Sequence, residues 1–243
     1  MIARVNVAVT PSAVAIGLRG LAVVVIDVLR ATTTITRALE SGAAAVIPCL
    51  EPEDAIAVRN RVGRDRVLLG GERESRKING FDLDNSPASY EAAIVSGKTV
   101  AFTTTNGSRA LQRVGHAGAS AVLCGSLINR DAVVRALGAI EAREALLVCA
   151  GQDGEFSFED FFCAGAIANM CIEAFPLITL SDAALAAAVT FRNGAGRVAD
   201  AIASGEHAQS LAALGFGNDI VDAARLDTSA IVPVYRDGEI FRS

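Results

Sequence analysis

A chain of 243 residues, 51% of them hydrophobic and 20% charged, has material for one large α/β domain or two modest lobes. Its net charge of −5 argues against a nucleic-acid partner held by bulk electrostatics, so an anionic ligand needs a local site. No apolar run reaches the roughly 18 residues of a membrane span, and no basic segment leads into an apolar one as in a secretion signal. The expected location is therefore the cytoplasm, with no membrane partner.

Short Val/Ile/Leu-rich runs predict strands over residues 4–9, 21–26, 44–49, 67–71, 98–104, 120–125 and 145–150. Helical periodicity fills most intervals, over 31–41, 53–62, 88–96, 107–114 and 130–143. Strands alternating with helices of this length imply a layered α/β/α fold around a largely parallel or mixed sheet. From residue 157 the pattern changes to alanine-rich helices over 158–174 and 181–204, followed by two shorter helices. A closing hairpin, IVPVYRDGEIF, turns at Arg236-Asp237-Gly238. The expected division is an α/β part of residues 1–156 carrying phosphate and metal sites, with a helix-rich part, 157–243, packed on it. The boundary is soft, because no linker composition marks it.

In such sheets ligands gather at the carboxyl ends of the strands. The first informative end, VVVIDVLRATTTI, delivers Asp27, Arg30 and then Thr32, Thr33 and Thr34 at a helix start. A carboxylate there is costly unless it meets a cation or is well hydrogen-bonded, and hydroxyls at a helix N-terminus suit an anion. The plain structural alternative is that Asp27 caps the helix. In the second, LLGGERESRKINGFDLDNSP, Gly70 and Gly71 permit a close backbone approach, and Glu72, Arg73, Lys77, Asp82 and Asp84 follow. Carboxylate oxygens suit Mg²⁺, and adjacent basic groups suit an anionic substrate. The third, VAFTTTNGSRAL, sets Thr103, Thr104, Thr105, Asn106 and Gly107 ahead of Arg109, a donor-rich turn able to cradle an oxyanion or simply to cap a helix. The fourth, VCAGQDGEFSFEDFFCAG, opens its helix with Glu159 and Asp160, which the helix dipole alone would favour.

Two other patterns carry less. Cys124 to Arg130 fits the C-x5-R signature of cysteine phosphatases but lacks the glycines that aim several N–H groups at one phosphate. Asp27 resembles a dehalogenase-type nucleophile, yet Leu29 stands where the second acid belongs. The five cysteines are an odd number scattered through apolar runs and read as buried thiols. His116 and His207 are the only histidines, which disfavours a His-rich zinc site and leaves both as candidate acids.

Taken together, VVIDVLRATTTI, GGERESRKINGFDLDNSP, TTTNGSRAL, CAGQDGEFSFEDFFCAG and SGEHAQSLAALGFGNDIVDAA resemble the 2-phosphosulfolactate phosphatase family. The resemblance runs from about residue 22 to the C-terminus. It implies a Mg²⁺-dependent acid phosphatase that converts (2R)-phospho-3-sulfolactate into sulfolactate and phosphate on a route to coenzyme M. It also places His207 and Asp219 at matching positions, while Asp84 stands where the family would carry glycine, which favours Asp82 as the ligand. The expected catalytic set is Asp27, Arg30, Glu72 and His207. Metal ligands are expected among Asp27, Glu72, Asp82, Glu159 and Asp160. Substrate contacts are expected from Arg30, Thr32, Thr33, Arg73, Lys77, Asn85, Thr104, Thr105, Asn106, Gly107 and Arg109. A phosphatase of another small phosphorylated hydroxy acid and a non-catalytic binder of a phosphorylated metabolite are the alternatives. A homodimer is common among enzymes of this size.

Overall fold

The computed structural model describes residues 2–14, 17–115 and 117–243; His116 lies outside them. In chain order the elements are β1 (Arg4–Ala8), β2 (Leu21–Ile26), α1 (Ala31–Glu40), β3 (Ala45–Cys49), α2 (Pro52–Val62), β4 (Val67–Arg73), β5 (Arg76–Lys77) and α3 (Ala92–Val95). These are followed by β6 (Thr99–Thr103), α4 (Gly107–Gly115), β7 (Ala121–Gly125), α5 (Arg130–Ala139), β8 (Glu144–Cys149) and α6 (Phe158–Ala174). The chain closes with β9 (Thr179–Leu180), α7 (Asp182–Gly194), α8 (Val198–Ala203), α9 (Glu206–Ala213), α10 (Gly217–Ala223), β10 (Pro233–Arg236) and β11 (Glu239–Arg242).

All the strands form one mixed sheet, ordered β5-β4-β6-β3-β11-β10-β7-β2-β8-β1-β9. Strand β2 is buried at five of its six positions, as a strand covered on both faces must be. On one face its side chains join α5, α6 and α7 in a core that includes Ile26, Leu147, Phe162 and Ile167. On the other, α1 and α4 supply Ile35, Leu39 and Leu111 against Val25, Val46 and Phe102. The result is the layered α/β/α arrangement read from the sequence.

The closing hairpin is not peripheral. Its two-residue turn uses positive φ at Asp237 (54°) and Gly238 (89°), the backbone that a tight hairpin requires. Strand β10 pairs antiparallel with β7, and β11 pairs antiparallel with β3. The hairpin thereby joins two parallel groups, β4-β6-β3 and β7-β2-β8-β1, which run in opposite nominal senses. Strand twist of about 20–25° per step accumulates to roughly 120–150° over the six steps from β2 to β4. That rotation turns the carboxyl end of β4 back toward that of β2.

Three predicted helices differ from the structure. The stretch 181–204 breaks after Gly194, where a tight 3-10 turn, Ala195–Arg197, separates α7 from α8. Two glycines in Gly194-Ala195-Gly196 weaken helix propensity at that point. The stretch 88–96 becomes a 3-10 turn, Pro87–Ser89, and the short α3, because Tyr90 is buried and its hydroxyl donates to the Asp84 carbonyl at 2.7 Å. Helix α5 ends at Ala139, with Ile140 extended, short of the expected residue 143.

Candidate active site

Asp27 leaves β2 at its carboxyl end and is only 6% exposed. Its Oδ1 accepts the Ala31 N–H at 3.0 Å, at the mouth of α1, so the capping role is real. Its Oδ2 has no hydrogen-bond partner among the described residues and lies against the start of α4. A Cβ at Gly107 would stand 2.7 Å from that oxygen and 2.5 Å from Ala31 Cβ. Gly107 is therefore a packing requirement that lets α4 approach Asp27, a different role from the expected substrate contact. Burial pushes the Asp27 carboxyl up to about 6; the charges of Glu72 and Glu159 add to this, while the Ala31 N–H and His207 oppose it.

Around Asp27 opens a cavity of about 300 Å³ lined by Arg30, Glu72, Arg73, Asn85, Thr104, Thr105, Asn106 and His207 from the expected set. Glu72 is buried and fully bonded. Its Oε1 accepts from Thr105 N (2.8 Å) and Oγ1 (3.0 Å), and its Oε2 accepts from Ser75 N (2.8 Å). Arg30 is buried in an ion pair with Asp219 at 2.9 Å. It also donates to the Ser75 carbonyl at 2.8 Å and stacks its guanidinium 4.2 Å over the Phe216 ring. Asp219 in turn accepts from Ser86 Oγ at 2.6 Å. Arg73 donates to the Glu72 and Leu50 carbonyls and to Thr103 Oγ1. Both arginines thus bring charge to the cavity wall while holding three loops together.

Several expected residues lie elsewhere. Thr32 Oγ1 bonds to the Asp27 and Gly125 carbonyls, at 2.8 and 2.7 Å, and Thr33 Oγ1 reaches the Val28 carbonyl at 2.8 Å. Both are buried outside the cavity lining and fasten α1 to the strand ends instead of meeting an anion. Asp82 is exposed, pairs with Arg59 at 3.2 Å and accepts the Leu69 N–H, so it closes the β4 loop on its outer side. Lys77 is exposed in β5 and Arg109 faces solvent beside Glu51; neither lines the cavity. Gly70 and Gly71 do permit a close approach, but to the protein itself. A Cβ at Gly70 would meet the Tyr90 hydroxyl, and one at Gly71 the Thr103 carbonyl.

The fourth strand end is also structural in part. Asp160 is buried and accepts N–H groups from Val28 (2.8 Å) and Gly151 (3.1 Å), one on each oxygen. It ties the ends of β2 and β8 together. Burial, then the charges of Asp27 and Glu159, push its carboxyl well above the usual range. Glu159 turns to His207, with Oε1 2.7 Å from Nδ1. Burial pulls His207 downward, but this carboxylate outweighs it and leaves the imidazole above its ordinary range.

The expected five-carboxylate metal set is therefore not assembled. Among the described residues, no three His, Cys, Asp or Glu side chains converge closely enough to hold a metal by themselves. What fits a hard divalent ion is smaller. Among the described residues, Asp27 Oδ2 has no hydrogen-bond partner, and Asn85, on the same cavity, has a buried Oδ1 with no donor. Mg²⁺ usually takes one or two protein carboxylates and completes its shell with water and substrate oxygens.

Sequence reasoning passed over Glu74, Ser75, Gln152 and Asp153, which also line the cavity. Positive φ at Glu74, Ser75 and Asp153 marks two tight turns, and the glycines on either side of Gln152-Asp153 were the only local signal of the second. The C-x5-R reading is overturned by geometry: Cys124 is fully buried within β7, and burial pushes its thiol far up. All five cysteines are free and buried, as expected. No helix among the described residues is long and apolar enough to cross a membrane.

Comparison with known proteins gives a consistent result. Residues 10–238 match the family model described as 2-phosphosulpholactate phosphatase. A protein of Symbiobacterium thermophilum is 44% identical over 223 residues, spanning 92% of this chain and 94% of its own. Proteins of Caldanaerobacter subterraneus and Deinococcus radiodurans are 42% and 41% identical, over 89% and 88% of this chain and 88% of each of theirs. All three carry the name "Probable 2-phosphosulfolactate phosphatase".

Proposed function

The chain belongs to the 2-phosphosulpholactate phosphatase family, and we propose that it is a Mg²⁺-dependent phosphatase hydrolysing (2R)-phospho-3-sulfolactate to 3-sulfolactate and phosphate. The observation that carries this reading is Asp27: a buried carboxylate at a strand end, one oxygen without a partner among the described residues, at the wall of a cavity sized for a small metabolite. Its charge is offset only in part, by His207, because Arg30 is paired with Asp219 and the neighbouring Glu72 adds another negative charge. A binder of anions alone has no use for that arrangement; a site that also takes a divalent cation does.

Asp27 and Asn85 would hold the Mg²⁺, with Glu72 beside them. When bound, the ion would offset the charge of the phosphoryl oxygens and draw electron density from phosphorus. The chain's own residues do the rest. Asp27, at the cavity wall, is the carboxylate that would accept a proton from an attacking water. Thr104, Thr105 and Asn106 form the donor-bearing approach to α4, facing the same cavity as Arg30 and Arg73. Glu72, through Thr105 and Ser75, fixes the two loops that frame the phosphoryl site.

Selectivity for the sulfonate rests on the family resemblance. The same chemistry on another small phosphorylated hydroxy acid is a second reading, favoured by the prior commitment of Arg30 and Arg73 to protein partners. Calorimetric titration with Mg²⁺ tests the cation site without recourse to turnover. Wild type should bind one ion and Asp27→Asn should bind it at least tenfold more weakly; equal affinities would remove Asp27 from the site.

A further inference from the structure

Glu159 lies in the first turn of α6, only 1% exposed. One carboxylate oxygen meets His207 Nδ1 at 2.7 Å, and the other is buried with no hydrogen-bond partner among the described residues. Among the described residues, His207, the second residue of α9, is therefore the sole side chain that satisfies this carboxylate, and it lines the cavity that also holds Asp27. A buried carboxylate with one imidazole partner favours a proton on Nδ1, which leaves Nε2 as the nitrogen free to act.

We infer that Glu159 is a positioning residue that holds His207 as the proton donor to the leaving oxygen of the ester. The inference rests on the phosphatase reading above. In the step it describes, a water oxygen bonds to phosphorus while the bond from phosphorus to the ester oxygen breaks. The electron pair of that bond stays on the leaving oxygen, which takes the proton from His207 Nε2. The water's proton passes to Asp27. Phosphate and a free hydroxy acid result, and both side chains return to their starting states by exchange with solvent. An alkoxide leaving from an aliphatic hydroxy acid needs such a proton, whereas a phenolate carrying a nitro group scarcely does.

That difference supplies the test. With Mg²⁺ saturating, kcat is measured on 2-phospho-3-sulfolactate and on p-nitrophenyl phosphate for the full chain, Glu159→Gln, Glu159→Asp and His207→Gln. The ratio of the two kcat values should fall at least tenfold in Glu159→Gln and His207→Gln, with KM for the alkyl ester little changed, and should recover in part in Glu159→Asp. In ¹H–¹⁵N spectra, a hydrogen-bonded imidazole proton should be present in wild type, absent from His207→Gln and shifted upfield in Glu159→Gln, where a neutral amide replaces the carboxylate; this readout needs no turnover. An unchanged ratio in folded Glu159→Gln overturns the inference. So does a rise in the Mg²⁺ concentration needed for half-activation without a change in the ratio, which would make Glu159 a cation ligand. If wild type hydrolyses neither ester while the imidazole signal is present, the phosphatase reading itself fails and the proton transfer falls with it.

Discussion

Replacing Asp27 by asparagine should abolish activity and stabilise the protein, and the second effect can be worked from the structure. In the unfolded chain an aspartate releases its proton near 3.8; in the fold, burial and nearby carboxylates hold it until about 6. Between those values the folded state binds more protons than the unfolded state, so stability falls as pH rises through the window and the penalty is complete above it. A shift of about two units corresponds to about 3 kcal/mol. The asparagine side chain would keep a carbonyl oxygen to accept the Ala31 N–H and would carry no charge. Urea unfolding in the presence of a chelator should therefore show Asp27→Asn more stable at pH 7.5 by up to about 3 kcal/mol, or roughly 6–12 °C in Tm. Near pH 4 the difference should largely vanish. Excess Mg²⁺ at pH 7.5 should narrow the gap, because wild type binds it more tightly and gains more from it. A variant less stable than wild type at pH 7.5, or a gap independent of pH, would refute the reasoning.

Gly107→Ala should lower kcat/KM by about 10²-fold, since its Cβ would stand 2.7 Å from Asp27 Oδ2 and must displace it; Gly196→Ala, with open space around it, should leave steady-state rates unchanged. Arg30→Ala should destabilise by about 3–5 kcal/mol in urea unfolding, because Asp219 would remain buried without its partner. Cys124→Ser should retain turnover on phosphate esters, and loss of activity in a folded variant would revive a cysteine nucleophile.

The seven strands of the βα part were legible because each is a short apolar run that the sheet buries on both faces, and α6 was legible from end to end. Where the closing hairpin sits was not. Its turn is local, but its place between β3 and β7 depends on pairing with strands that lie far earlier in the chain. The strand ends were rightly singled out as places of chemistry, and Asp27, Glu72 and His207 do line one cavity. Sequence could not tell which hydroxyl faces a ligand and which faces the backbone. Thr32 is used by Gly125, and Thr34 by Asn85, from segments far along the chain. Nor could it show that Asp82 would be paired by Arg59, or that Glu159 would find His207 across 48 residues. Each of those pairings is decided by packing, which composition and spacing do not encode.

The central claim, a cation-assisted phosphatase built around Asp27, is tested most directly by phosphate release from 2-phospho-3-sulfolactate, with Mg²⁺ and with a chelator, against a panel of phosphorylated hydroxy acids. The account predicts turnover that the chelator abolishes, that Mg²⁺ restores and that Asp27→Asn lacks. Release that is indifferent to the chelator, or that persists in Asp27→Asn, would contradict it.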